Sequence, residues 1–164
     1  MFGFSYVELV FVIAILALLG AMATPYLEKN IQRNKELELK QNLREIRIAI
    51  DEYKAASDQG KIQKSVGDSG YPHHLEDLVT GVEDISDPEK KKLRFLRRLP
   101  SDPMFPKSQI ASNVSAENAV NPSETWGKRS YASDADNPRD GDDVYDINSL
   151  STDIGLNGIP YAKW

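Results

Sequence analysis

One carboxylate in this chain stands where a carboxylate is costly. Residues 4–23 read F-S-Y-V-E-L-V-F-V-I-A-I-L-A-L-L-G-A-M-A, apolar almost throughout, with Glu8 as their single charge. As a helix rising ~1.5 Å per residue, the stretch is expected to span ~30 Å, the hydrocarbon thickness of a bilayer. A charged acid at the centre of such a span costs at least ~2.5–3.5 kcal/mol, so such residues are usually paired or functional. A place in the first helical turn, at the positive end of the helix dipole, explains why Glu8 is tolerated. It does not explain why an acid is there. No Lys or Arg precedes Lys29, so the cation the sequence offers near Glu8 is a backbone amine. Cleavage after Gly3 would create one on Phe4, four residues before Glu8. Glu8 could then neutralise the Phe4 amine of a neighbouring, axially shifted copy, which favours packing identical chains side by side.

The remaining inventory for chemistry is thin. The 164 residues include no cysteine and two histidines, which removes disulfides and leaves little for nucleophilic or zinc chemistry. His73 and His74 are adjacent, and neighbours on a helix diverge by ~100°, so they do not share a face for a metal. None of the carboxylates pairs with a recognisable nucleophile or base, so no enzymatic activity is expected. The formal net charge of -5 argues against nucleic acid. The basic run Lys90, Lys91, Lys92, Arg94, Arg97 and Arg98 has Phe95 as its sole aromatic, and reads as a face for acidic groups of a neighbouring subunit.

The elements that must position these residues follow from periodicity. Leu27, Ile31, Leu39, Leu43, Ile46, Ile50 and Tyr53 recur at helical spacing and form one apolar stripe. Opposite charges at i,i+4, Glu36 with Lys40 and Arg47 with Asp51, are expected to pair on the solvated faces. The expected layout is a leader over residues 1–3, a transmembrane and assembly half over 4–26, an amphipathic half over 27–57, and a globular domain over 58–164. Pro25 is expected to kink the helix, because it lacks an N–H and crowds the preceding turn. Asp58-Gln59-Gly60 is expected to end it. Residues 71–79 open a short helix stopped by Gly81, and Ser86-Asp87-Pro88-Glu89 reads as a second helix start. Residues 104–124 form a long polar loop, within which Asn113-Val114-Ser115 is a formal glycosylation sequon. Residues 126–131 and 144–149 have the composition of short strands, and the aromatic tail is expected to dock on the domain.

Gly3-Phe4, Glu8, the apolar run and Pro25 resemble the class III signal of type IV pilins and type II secretion pseudopilins. In that family a prepilin peptidase cuts between the Gly and the Phe and methylates the Phe amine, while the Glu guides assembly and the Pro kinks the helix. The leader Met1-Phe2-Gly3 departs from the pattern in lacking basic residues. Ala21-Met22-Ala23 also resembles an ordinary secretory cleavage site, but no positive charge precedes the apolar run and the run is too long. Tyr71-Pro72, the stretch from Arg98 to Pro103, Trp126-Gly127 and the stretch from Tyr145 to Leu150 are similar to the major pseudopilin, the G subunit. There Asp-Pro and Trp-Gly are contiguous; here an insertion separates Pro103 from Trp126.

The resemblance implies an α+β, pilin-like fold: one long N-terminal helix, part membrane and part amphipathic, packed on a small antiparallel sheet with long loops. It implies a structural subunit of a periplasmic pseudopilus that grows from the bacterial inner membrane and drives protein export through an outer-membrane secretin. The chain would cross the membrane once, with its C-terminal domain periplasmic. The implied partners are further copies in a helical filament, minor pseudopilins, the peptidase, an inner-membrane assembly platform and, before assembly, lipid. The alternative is a type IV pilin of a surface fibre for adhesion or motility, against which the absent cysteines and the C-terminal resemblance weigh. A single-span periplasmic binding or enzymatic domain leaves Glu8 without a task. The G subunits also bind calcium in the loop after their Ser-Leu, through a backbone carbonyl at the Leu and two later carboxylates. Leu150 and Asp153 match the first part, but no carboxylate follows Asp153. Asp142 and Asp143, or Asp134 and Asp136, could supply the missing oxygens from the preceding loop. An EF-hand fit fails at Pro138.

Overall fold

Helix formation dominates the first third of the chain. The computed structural model describes residues 5–106 and 120–164, and of residues 21–26 the backbone alone. Helix α1 covers Tyr6–Asp58. Its end is set by Gly60, at φ +73°, whose left-handed conformation lets the Lys61 N–H reach the Ala56 carbonyl at 3.0 Å. Gly3 and Phe4 lie outside the described residues, as does the sequon at Asn113. The side chain of Pro25 does too, and the kink expected there is not described.

Contacts divide the chain into two units, Met1–Lys35 and Glu36–Trp164. In the first, the side chains of residues 5–20 are exposed on every face of the helix. Leu27 and Ile31, expected on the buried stripe, are exposed as well. In the second, Leu39, Leu43, Ile46, Ile50 and Tyr53 form the helix side of the core. They pack with Leu75, Leu78, Leu96, Trp126, Val144, Ile147 and Tyr161. Burying a side chain of this size is worth ~1.5–3 kcal/mol, so this face holds the unit together.

After the helix come a short α2 (Asp77–Thr80), β1 (Val82–Glu83), β2 (Lys92–Leu93), a 3-10 turn at Pro122–Thr125, β3 (Trp126–Arg129), β4 (Asp146–Ser149) and a second 3-10 turn at Tyr161–Lys163. Strand β1 pairs antiparallel with β2, and β3 with β4, in the register Trp126 to Ser149 and Arg129 to Asp146. The helix start expected at Ser86 is absent. The Asp84 carboxylate accepts from the Ser86 N–H at 2.8 Å, and that of Asp87 from the Glu89 N–H at 3.0 Å. These local turns take the backbone donors a helix would have used, so the segment becomes the loop between β1 and β2.

The expected pilin-like fold needs correction on two points. Among the described residues no helix is long and apolar enough to cross a membrane. Among the described residues, moreover, the strands form two separate two-stranded ladders instead of one small sheet.

The insertion after Pro103 does not part the residues it separates. The Trp126 indole N–H donates to the Pro100 carbonyl at 2.8 Å, and the Asp102 N–H to Thr125 Oγ1 at 3.0 Å. Glu76 fixes the returning segment, accepting from the Ser123 hydroxyl and, at 3.2 Å, from Asn121 Nδ2.

Candidate functional site

The residue singled out by its chemistry, Glu8, sits in the first turn of α1 and is exposed. Around it Tyr6 is 80% and Phe11 67% exposed, and Val7, Leu9, Val10, Val12 and Ile13 are exposed too. Among the described residues Glu8 makes no ion pair. A helix that is apolar all round is one that something covers. This surface therefore combines a strong drive toward burial with one carboxylate that burial would strand without a cation.

In the second unit, the charges expected to pair along the helix turn to the tail instead. Buried Glu36 accepts from the Leu156 N–H at 2.7 Å and the Tyr161 hydroxyl at 2.8 Å. Lys40 Nζ lies 4.6 Å from the centre of the Trp164 ring, a cation–π contact. Arg47 reaches Asp146 Oδ1 with Nε at 2.8 Å, and the carbonyls of Ile147 and Trp164 with Nη2 at 2.9 and 2.8 Å. Three helix residues thus clamp β4 and the tail. Sequence reading missed this clamp, for which the one available signal was the aromatic tail itself.

The candidate calcium ligands Asp142, Asp143, Leu150 and Asp153 all lie among the described residues. Asp143 is buried and both its oxygens are engaged: Oδ1 accepts from the Ser130 hydroxyl at 2.6 Å and the Tyr131 N–H at 2.9 Å, Oδ2 from the Ser69 hydroxyl. Burial opposes its charge, but the hydrogen bonds from Ser130, Ser69 and Tyr131 outweigh burial and hold the carboxyl below its usual range. Asp142 offers its carbonyl to His73 Nδ1 at 2.7 Å, while the His74 N–H donates to Asp77 Oδ2 at 2.9 Å. Leu150 and Asp153 are exposed, and the Asp153 carbonyl is taken by the Tyr161 N–H at 3.1 Å. Among the described residues, no three or more of His, Cys, Asp and Glu come together as a metal site.

No protein-family model matches this chain, and no curated protein or solved structure is significantly similar to it.

Proposed function

We propose that the chain is a structural subunit of a periplasmic secretion filament of the type II pseudopilus kind, in which copies cover one another's apolar α1 residues. The observation that carries this reading is the helix surface around Glu8: exposed, apolar on every face, and bearing one carboxylate with no ion pair among the described residues. Each Leu, Ile, Val or Phe covered there contributes up to ~1.5–3 kcal/mol, so packing of copies is strongly favoured. An unpaired carboxylate in such a packed stack would cost several kcal/mol. The amine of Phe4 in a neighbour, freed by cleavage after Gly3, supplies the cation. Export is then mechanical: a prepilin peptidase prepares the subunit, an inner-membrane platform adds it to the fibre with minor pseudopilins, and the growing fibre pushes cargo through a secretin. The chain is not an enzyme in this reading.

The test is Glu8→Ala. Removing the charge keeps the apolar surface and deletes the partner of the neighbour's amine. Sheared and pelleted filaments should be largely lost in the variant while the amount of protein in the cells stays the same. Equal filament yields from wild type and variant would end the proposal.

A further inference from the structure

Helix α1 and the tail enclose a groove of about 460 Å³ within the second unit. Leu43, Ile48, Ile159 and Trp164 give it an apolar floor, and Lys40, Arg44 and Lys163 bring cations to it. Arg47 also lines it but is committed to Asp146, and Asp51 is the acid among its lining residues. Arg44 and Lys163 are exposed and make no ion pair among the described residues. A cavity of this size, apolar inside and cationic around it, suits an acidic segment with a small apolar residue at its tip.

The chain carries such a segment. In loop 134–142, Asp134, Asp136, Asp140 and Asp142 are exposed and make no ion pair among the described residues, and Pro138 lies at the middle. Ala135 and Pro138 line a smaller neighbouring cavity of about 150 Å³ with Lys163 and Trp164, and among the described residues the loop's own acids make no ion pair with Arg44 or Lys163. We propose that the groove receives loop 134–142 of a second copy of the chain, its carboxylates against Arg44 and Lys163 and its Pro138 against the apolar floor. Groove and loop are different surfaces, so the contact is head to tail: each copy that accepts a loop still offers its own, and the contact propagates. This deepens the filament reading by naming a subunit contact away from Glu8, and it can fail separately from that reading.

The absence of native cysteine makes the test direct. Full-length chains carrying Lys163→Cys and, separately, Asp136→Cys are given different tags, mixed and mildly oxidised. All substituted positions are exposed, so folding is retained, which thermal melting verifies. The mixed disulfide dimer should exceed either homodimer about tenfold. It should fall about tenfold when Arg44→Glu is added to the first chain, since like charges then face each other, and return when Asp140→Arg is added to the second. A mixed dimer no more abundant than the homodimers, or one indifferent to Arg44→Glu, would overturn the contact. So would disulfide capture of an unrelated protein by the groove cysteine in place of the second copy. Filaments without the mixed dimer overturn this contact and leave the filament reading standing; the mixed dimer without filaments does the reverse.

Discussion

Two buried carboxylates respond to pH with opposite sign. Asp143 is held below the ordinary carboxylate range because three donors outweigh its burial. It therefore adds stability that is fully present above its unfolded value of ~3.9 and is lost as pH falls through its lower folded value. Asp143→Asn is expected to cost about 1–3 kcal/mol at neutral pH and to flatten the acid limb of stability, read from urea midpoints as pH is lowered. An unchanged acid limb would refute the assignment. Asp102 is pushed upward, since burial outweighs its bonds from Ser149, Met104 and Leu150. Its contribution is present at low pH and lost as pH rises through the raised value, so Asp102→Asn should remove a loss on that side. The sequence marked Asp143 as a candidate calcium ligand and Asp102 as part of the resemblance, and it marked neither as a buried acid held by hydroxyl and backbone donors. The donors to Asp143, Ser69 and Ser130, lie 74 and 13 positions away.

Within the elements, the part of α1 from Leu39 to Tyr53 was legible, because a stripe at helical spacing needs only local information. The same reasoning put Leu27 and Ile31 on the buried stripe, where they are exposed, since periodicity names a face and not its cover. It also paired Arg47 with Asp51, four residues on. The guanidinium goes instead to Asp146, 99 positions away, where it gains two carbonyl acceptors besides. A surface i,i+4 pair yields only ~0.2–0.5 kcal/mol, so a distant site with three acceptors wins easily. Arg47→Ala is expected to lower stability by about 1–2 kcal/mol, a value kept modest because the side chain is partly exposed. Asp51→Ala should change it by less than about 0.5 kcal/mol. Equal urea midpoints for the two variants would contradict the clamp. The Ser86 helix signal failed for a related reason: Asp84 and Asp87 offer the backbone a nearer acceptor than the next helical turn does.

For the whole molecule, the sequence conveyed an apolar start with one acid, and residues 5–20 of it are exposed within a single copy. It did not convey how the strands divide into two ladders, because residues 82–83 and 92–93 carry too little alternation to mark two-residue strands. The filament proposal makes a covalent prediction at this scale. The mature chain is expected to begin at Phe4 with a methylated amine, measured by mass spectrometry of the extracted protein. A first residue of Thr24 would indicate secretory cleavage after Ala23 and remove the Glu8 surface altogether.

The clamp on the tail also orders events in time. Glu36 finds its partners in Leu156 and Tyr161, 120 and 125 positions downstream, while the turns of α1 close over four residues. Closing a long loop costs chain entropy before any contact repays it, and such contacts form late. Until the tail arrives, Glu36 lacks the donors it has in the finished fold, Leu156 N–H and the Tyr161 hydroxyl. During that interval the core lacks Tyr161, one of the buried side chains that pack with Leu39, Leu43 and Ile46. A copy whose tail has not docked thus exposes more apolar surface than a finished one, so premature association is restrained by how soon Tyr161 reaches Glu36.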